Sequence, residues 1–174
     1  MIETQRLVLR PFEPGDQEAY AAIRSRPSNA RHLPGGEAGA NDAGLRVRAA
    51  GTPWGRDAWN AGGYAPWAVV EKSGSRLIGH LGLRLLPEIG ETELLYLIDE
   101  PWWGRGLATE GGRAAVDIAR DQLGLKRLVA FALPGNAGSI AVMRKLGFRF
   151  EGEQAIFGLD AVRYALGPLR SSPD

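Results

Sequence analysis

The sequence predicts one domain of mixed α+β class. Three observations support this: segments that alternate between apolar and polar residues, segments with helical periodicity between them, and glycines at Gly124 and Gly147 where the two clearest helical patterns end. A length of 174 residues is ordinary for one domain. We assign residues 1–170 to it and expect a disordered tail at 171–174.

The first strand is predicted at residues 5–12, where alternation turns Leu7 and Leu9 inward. Asp16 is the predicted N-cap of a first helix, which runs to about Arg24. The pattern then decays over residues 34–63, which contain eight glycines and leave only a short helix near 43–50. We expect this stretch to be either a mobile loop or a loop that faces a substrate.

Two strands, at residues 65–71 and 76–85, are joined by a short turn and predict an antiparallel hairpin. A third strand at 91–99 leads through a glycine turn into a helix at 106–122. Inside that helix, Gly111 and Gly112 each cost about 1 kcal/mol relative to alanine, so we expect close packing against the sheet there. A buried strand at 127–133, a helix at 136–146 and short strands near 148–153 and 161–167 complete the prediction.

The stretch WWGRGLATE, residues 102–110, is the most informative part of the chain. A strand, a tight turn of small residues and a new helix N-terminus present unpaired N–H groups and the positive end of a helix dipole, which together favour a phosphate. It is not a Walker A loop, because no Gly-Lys-Ser/Thr follows, and Thr109 replaces the third glycine of a dinucleotide fingerprint. The alternative is a turn that only connects two elements.

Composition excludes several classes of function. A net charge of +1 gives no indication of nucleic-acid or membrane binding, and the lack of cysteine removes disulfides, thiolate metal sites and a cysteine nucleophile. The two histidines, His32 and His80, lack metal-ligand spacing, so we expect no metal and a structural role for His80. With no signal segment or 18-residue apolar run, we expect a cytoplasmic protein.

Three segments in order, TQRLVLRPF, ELLYLIDEPWWGRGLATE and PGNAGSIAVMRKLGF, resemble the GNAT superfamily of N-acetyltransferases. The resemblance is greatest to its ribosomal-protein N-terminal acetyltransferase (RimJ/RimL-like) branch. It implies a GNAT fold: a mixed, mostly antiparallel sheet of about seven strands flanked by about four helices, whose central strands splay apart around acetyl-CoA.

The resemblance also implies the site. The backbones of Tyr96, Leu97 and Ile98 would follow the pantetheine arm and the acetyl group. Asn136 would bond the pantetheine arm, and Ser139 and Met143 would line the thioester end. The pyrophosphate would lie on the residues of the glycine turn, which are Trp103, Gly104, Arg105, Gly106, Leu107, Ala108 and Thr109. Cations that could help to hold the CoA phosphates are Arg105, Arg113, Arg144 and Lys145.

Two positions depart from the family pattern. Trp103 stands where many members have Gln or Arg, although an aromatic residue is usual in this branch. Met143 stands where many members have a tyrosine that protonates the leaving thiolate, and methionine has no proton to donate. The family suggests the Ser139 hydroxyl as a substitute. The alternative for Ser139 is a capping or packing role.

Glu93 is the candidate general base. The alternation of a strand places it on the same face as Leu95 and Leu97, opposite to Tyr96 and Ile98. Its orientation depends on whether the strand contains a bulge, and the alternative is an exposed carboxylate. Glu91 and Glu88 are expected to be solvated, and Asp160 is a more distant candidate.

Deprotonation at pH 7 costs about 1 kcal/mol for an α-amine and about 4.6 kcal/mol for a lysine. A site without a strong base would therefore favour the α-amine, and this preference, joined to the resemblance, predicts acetylation of the N-terminal α-amine of a protein or peptide. With no cysteine in the chain, direct attack in a ternary complex is the simpler mechanism. The alternatives are a small amine (an aminoglycoside, a polyamine or an amino acid) and a non-catalytic acyl-CoA-binding protein. Either a monomer or a homodimer is compatible with the sequence.

Overall fold

The structure is a computed structural model that describes residues 1–36 and 65–169. Within these ranges one sheet is formed by β1 (Ile2–Glu3), β2 (Leu7–Arg10), β3 (Pro66–Glu71), β4 (Arg76–Leu86), β5 (Glu91–Ile98), β6 (Leu128–Ala132), β7 (Arg149–Ile156) and β8 (Leu159–Leu166). The helices of these ranges are α1 (Gln17–Ser25), α2 (Pro27–Ala30), α3 (Leu107–Asp121) and α4 (Ala137–Lys145), and short 3-10 turns lie at Pro14–Asp16 and Glu100–Trp102.

The sheet opens between its two central strands. The strand order is β1-β2-β3-β4-β5-β6-β8-β7, and every neighbouring pair is antiparallel except β5 and β6. These two run parallel and are in register at one pair, Glu93 with Val129. Beyond that pair the strands diverge and leave a gap in the sheet. The predicted mixed, mostly antiparallel α+β fold is confirmed.

The two faces of the sheet carry different helices. The register of β4 and β5 is continuous from Gly79–Ile98 to Leu86–Glu91, so alternate residues point to opposite faces. On one face, Leu81 and Leu94 pack with Leu107 of α3 in the main core. On the other face, His80 contacts Tyr20 of α1. The gap between β5 and β6 therefore connects a face covered by α3 and α4 with a face covered by α1.

The predicted inward side chains of the first strand are confirmed. Leu7 and Leu9 have no exposed surface, and burial of each contributes about 1.5–3 kcal/mol. The predicted close packing of the helix glycines is also found, with one difference. A Cβ on Gly111 would lie 3.0 Å from Leu81 of the sheet, but one on Gly112 would lie 2.7 Å from Leu146, at the end of α4.

Two elements are missing from the prediction, and Asp16 is the N-cap residue of α1 as predicted but without a capping bond from its side chain. Strand β1 has only two residues and α2 only four, so neither shows a periodicity. The side chain of Asp16 does not cap α1. Its carboxylate accepts hydrogen bonds from the Arg10 guanidinium at 2.7 and 2.8 Å and from the Glu13 N–H at 2.8 Å. The predicted short helix at 43–50 and the tail at 171–174 lie outside the described residues.

The last hairpin is longer than predicted and has a tight turn. Strands β7 and β8 pair as far as Ile156 with Leu159, which leaves the two-residue turn Phe157–Gly158. Both turn residues have positive φ, 56° and 73°, as in a type I′ turn. Positive φ is unusual for phenylalanine, and this turn projects its ring beside the cleft described below.

Candidate active site

A cleft of about 880 Å³ runs along the gap between β5 and β6. We call the part lined by the end of β5, residues 102–109 and the start of α4 the α3 side. The part lined by α1, α2, the middle of β4 and the β7–β8 turn is the α1 side. Glu93 and every residue predicted to contact the pantetheine arm, the thioester or the pyrophosphate, except Met143 and Arg105, belong to the cleft lining.

The α3 side ends at the glycine turn. Gly104 and Gly106 have φ of 71° and 76°, a backbone conformation that favours glycine. Gly106 is the N-cap of α3, and its carbonyl accepts the Glu110 N–H at 3.0 Å. The N–H groups of Leu107, Ala108 and Thr109 precede that bond and have no intrahelical partner. With the helix dipole, they form a cradle for an anion.

Cations flank this cradle. A smaller cleft of about 380 Å³ beside Gly106 is lined by Arg6, Arg113 and Lys145, among others. Arg6 is fixed there because its Nε donates to Glu110 at 2.7 Å. Arg113 and Lys145 thus lie where a phosphate group would need positive charge.

The other two predicted cations are placed differently. The Arg105 guanidinium lies over the Trp102 ring, 4.8 Å from its centroid. Arg144 donates to the Tyr164 hydroxyl at 3.3 Å and belongs to neither cleft.

The backbone of β5 offers its groups to the gap at alternate residues. The Asp99 N–H donates to the Ile78 carbonyl at 2.8 Å, and hydrogen-bonded pairs alternate along an antiparallel ladder. By this alternation the N–H and C=O of Leu97 face β4, whereas those of Tyr96 and Ile98 face the gap. Of the Leu97 and Ile98 amides, only that of Ile98 therefore points into the cleft.

Trp103 occupies part of this free edge. Its indole N–H donates to the Ile98 carbonyl, and 46% of the residue is exposed. The carbonyl of Ile98 is thereby satisfied within the protein, and its N–H is left for a ligand.

Ser139 belongs to a hydroxyl pair at the start of α4. The Tyr96 hydroxyl lies 3.0 Å from both the Oγ and the carbonyl oxygen of Ser139. The phenol has one proton. When that proton goes to Oγ, the Ser139 hydroxyl is free to donate into the cleft. Burial raises the pKa of Tyr96 to about 12, so the phenol remains protonated at ordinary pH.

Asn136 caps α4, because its Oδ1 accepts the Ser139 N–H at 3.1 Å. The alternative capping role of Ser139 thus belongs to Asn136. In residues 1–36 and 65–169 nothing accepts from the Asn136 Nδ2, which remains available to a ligand. Met143 differs from the prediction: it is fully buried in the main core, and the preceding residue, Val142, lines the cleft. Val142 and Met143 are adjacent in α4, so the first faces the cleft and the second faces the core.

Glu93 lies on the α1 side. Because no bulge interrupts the β4–β5 register, it faces away from α3 and opposite Arg84. It is 4% exposed, and the Arg84 Nε donates to its Oε2 at 2.9 Å. Burial raises the pKa of Glu93 and the Arg84 charge opposes that shift. The alternative of an exposed carboxylate was wrong.

The other carboxylates are less suited. Glu91 accepts from Arg127 and Arg163 in an ion-pair cluster. Glu88 and Asp160 are exposed, and neither belongs to the cleft lining.

Sequence reasoning missed a polar group on the α1 side. The Tyr20 hydroxyl and His80 Nδ1 are 2.8 Å apart, and both residues line the cleft. Burial raises the pKa of Tyr20 to about 12. Burial, with the charges of Arg24 and Arg84, lowers the pKa of His80 well below its usual value. Both side chains are therefore neutral at physiological pH.

Arg24 and Phe157 were also missed. Tyr20 and Arg24 are four residues apart on α1 and so share a helix face. The sequence shows this spacing, but it does not show which element packs against that face. The Arg84 guanidinium lies 4.4 Å from the centroid of the Phe157 ring. Only the fold brings Phe157 to Arg84, from 73 positions along the chain.

The helices of the α1 side are fixed to the end of β5 through a buried carboxylate. Asp99 Oδ1 accepts from Arg26 Nε at 2.8 Å and from Asn29 Nδ2 at 2.7 Å. Ser28 also donates to Glu100 at 2.6 Å. Since Asp99 follows the strand that carries Tyr96 and Ile98, these bonds set the spacing between the two sides of the cleft.

The described residues contain no group of three or more His, Asp or Glu side chains arranged to hold a metal ion. Within the same residues, no helix combines the length and apolarity required to span a bilayer.

The described structure combines a sheet with a central gap, a glycine-turn anion cradle at one end of that gap and a buried carboxylate at the other. The family model for the acetyltransferase (GNAT) domain matches residues 6–149. The chain belongs to the GNAT family of acetyltransferases. Members of this family take the acetyl group from acetyl-CoA.

The chain is also similar in sequence and in fold to individual acetyltransferases. The probable N-acetyltransferase YjcK of Bacillus subtilis is 35% identical over 88 residues, 49% of each chain, so the match spans about half the length of that relative. An acetyltransferase structure from Agrobacterium tumefaciens has 26% identity and a TM-score of 0.78, covering 95% of this chain and 92% of that one. The ribosomal-protein-S5-alanine acetyltransferase of Vibrio fischeri has 19% identity and a TM-score of 0.72, covering 99% and 98%; at that identity it shows the fold alone.

Proposed function

We propose that this acetyltransferase transfers the acetyl group of acetyl-CoA to the N-terminal α-amine of a protein or peptide, as in the ribosomal-protein branch of the family. The observation that carries the proposal is the continuity of the cleft from the α3 N-terminus, through the gap beside Tyr96, to Glu93, the one carboxylate among the described lining residues. A donor and an amine could therefore meet in one space. With no cysteine in the chain, direct attack requires no acyl-enzyme.

In this proposal the residues of the α3 side hold the donor. The first N–H groups of α3 bind the pyrophosphate, Asn136 Nδ2 contacts the pantetheine arm, and the Ile98 N–H points at the thioester oxygen. The amine nitrogen forms a bond with the thioester carbon as the carbon–sulfur bond breaks. The amine proton passes to Glu93 and the sulfur leaves as a thiolate.

The Ser139 hydroxyl, oriented by Tyr96, would donate a hydrogen bond to the departing sulfur. A full proton transfer from Tyr96 is unfavourable, because its pKa is about 12 whereas an ordinary thiol has a pKa near 8.5. The pair therefore stabilises the thiolate, which can then take its proton from solvent.

The preference for an α-amine follows from the base. One buried carboxylate that is already paired with Arg84 is a modest base. It suits an amine whose deprotonation costs about 1 kcal/mol better than a lysine, for which the cost is about 4.6 kcal/mol. The name of the Vibrio fischeri protein is compatible with this class of acceptor.

The test has two stages. Acetyl-CoA at 100 times its dissociation constant should raise the melting temperature by about 5 to 10 °C, with ATP and NAD as controls. Turnover is then compared between a peptide with a free N-terminus and the same peptide with a blocked N-terminus and one lysine. We expect kcat/KM to be at least about tenfold higher for the free N-terminus.

Efficient turnover of the lysine peptide, with none at free N-termini, would overturn the proposal. Turnover of small amines alone would select the small-molecule alternative. Tight acetyl-CoA binding without turnover on any amine would select the non-catalytic one.

A further inference from the structure

Two buried side-chain atoms in the described residues lack a hydrogen-bond partner, and both belong to residues that line the α1 side of the cleft. They are Arg24 Nε, a donor, and Asn29 Oδ1, an acceptor. Buried polar groups are nearly always satisfied in folded proteins. Two exceptions of opposite polarity in one cleft indicate a ligand that offers an acceptor to Arg24 and a donor to Asn29.

The orientation of Asn29 is fixed by its own bonds. Its Nδ2 donates to the Ile23 carbonyl at 2.8 Å and to Asp99 Oδ1 at 2.7 Å. Both partners are acceptors, so the amide nitrogen must be on that side. The residue is only 2% exposed, and its free oxygen is set to accept an N–H.

No acidic side chain of the described residues neutralises Arg24, since none in residues 1–36 and 65–169 forms an ion pair with it. Its neighbour Tyr20 hydrogen-bonds with the guanidinium and with His80, and both neighbours are neutral. The other guanidinium of the α1 side, Arg84, already donates to Glu93.

The charge of this side has a definite sign. Among the described lining residues of the α1 side, the charged ones are Arg24, Arg84 and Glu93. The net charge of this side is therefore +1. A carboxylate supplies one negative charge and two oxygens that match the fork of a guanidinium. One carboxylate therefore satisfies both the charge and the unpaired donor.

We propose that the amine acceptor carries a carboxylate close to its reactive amine, that Arg24 binds this carboxylate, and that Asn29 Oδ1 accepts an N–H of the same molecule. The inference rests on the proposed acetyl transfer and narrows its substrate class. Two sources supply this chemistry: an acidic side chain at the N-terminus of a peptide, and the α-carboxylate of a free amino acid.

The experiment measures kcat and KM for tetrapeptides that differ only in their first residue, which is Glu, Gln or Lys. A second panel compares alanine with alaninamide. We expect the wild-type protein to prefer the Glu peptide over the Gln peptide by about tenfold or more in kcat/KM, mainly through KM. The amino-acid panel identifies the source, because preference for alanine over alaninamide would assign the α-carboxylate.

The variant Arg24→Gln should remove this preference, because kcat/KM for the Glu peptide falls toward that for the Gln peptide. Arg24→Glu should reverse it in favour of the Lys peptide. Arg31→Gln is the matched control. Arg31 is exposed and lies outside the cleft lining, and its replacement removes one positive charge, as Arg24→Gln does. Thermal unfolding of each variant reports whether it is folded.

Equal turnover of the Glu and Gln peptides, together with equal turnover of alanine and alaninamide, would overturn the inference while the proposed function stands. Turnover of alanine, with no turnover of peptides, would overturn the peptide acceptor and uphold the carboxylate. Equal losses in Arg24→Gln and Arg31→Gln would also overturn the assignment to Arg24. Absence of turnover with every acceptor would overturn both.

Discussion

In the proposed function, the two sides of the cleft recognise their ligands with different parts of the chain. On the α3 side, the groups that face the ligand are mainly backbone N–H groups of a short continuous segment, from Tyr96 to Thr109. On the α1 side, they are side chains from separate elements: Arg24 of α1, Asn29 of α2, Arg84 of β4 and Phe157 of the β7–β8 turn. Backbone groups are the same in every sequence, whereas side chains are particular to this one.

This difference separates donor binding from acceptor choice. The α3 side needs only small residues at the turn and a helix N-terminus, and many sequences can provide these. The α1 side depends on a few charged groups whose replacement changes what fits. Relatives can therefore share a donor and differ in their acceptors, and mutations on the two sides should affect different kinetic constants.

The largest expected effect separates the two sides by chemistry. Glu93→Gln should lower kcat by about 100-fold or more, since a positioned general base contributes about that much. The dissociation constant for acetyl-CoA should stay the same, because Glu93 lies on the α1 side. Calorimetry and steady-state kinetics on one preparation measure both, and a large change in acetyl-CoA affinity would break the comparison.

The same base should determine a pH dependence. A base must be ionised, so kcat falls as the pH drops through its pKa. Because burial raises the pKa of Glu93, this loss should occur at higher pH than for an ordinary glutamate. Arg84→Gln removes the charge that lowers the pKa and should move the loss to still higher pH. Arg76→Gln, on an exposed residue of the same strand, is the control, and equal profiles for the two variants would exclude Glu93 as the base.

The next effect tests the backbone character of the α3 side with two glycines of one helix. Gly106 and Gly124 flank α3 and have φ of 76° and 62°. A Cβ fits at both, in open space at Gly124 and at an ordinary contact distance of 3.7 Å from the Arg6 guanidinium at Gly106. Valine at either position should destabilise the fold by a similar amount, about 1–2 kcal/mol. Only Gly106→Val should also weaken acetyl-CoA binding, by about 30-fold, because it obstructs about three N–H contacts.

Thermal unfolding measures the loss of stability, and calorimetry measures the affinity for acetyl-CoA. Equal affinity for acetyl-CoA in the Gly106→Val and Gly124→Val variants would show that the turn does not hold the donor.

The comparison also explains what the sequence could predict. The strands, α3, α4 and the glycine turn have local signals, either a periodicity or a cluster of small residues, and the predictions there are close to the observed bounds. Two-residue β1 and four-residue α2 are too short for such signals. The α1 side has none, because Arg24 and Phe157 acquire their neighbours only when distant segments pack together.

One site prediction failed and another was left open, each at the level of one residue. The segment around Met143 was correctly predicted to be a helix, but Met143 faces the core instead of the cleft. Adjacent helical residues point about 100° apart, so an error of one residue changes the face. The orientation of Glu93 could not be predicted because a bulge would have reversed it. A continuous β4–β5 register decides it, and register is a property of two strands together.

The smallest expected effect concerns the point where the two sides meet. Tyr96 and Ser139 share a hydrogen bond of 3.0 Å across the gap. If Tyr96 acts by orienting the Ser139 hydroxyl toward the sulfur, Ser139→Ala should lower kcat by about tenfold, the value of about one hydrogen bond. Tyr96→Phe should lower it by less.

The double variant distinguishes an indirect from a direct role of Tyr96. Because Tyr96 has nothing left to orient once the Ser139 hydroxyl is gone, the double variant should equal Ser139→Ala alone. Tyr164→Phe is the matched control, since that phenol contacts Arg144 outside the cleft lining. If the losses multiply instead, both hydroxyls contact the reacting atoms. The α3 side would then contribute two side chains to the reaction, Tyr96 as well as Ser139, and would not be a site of mainly backbone recognition.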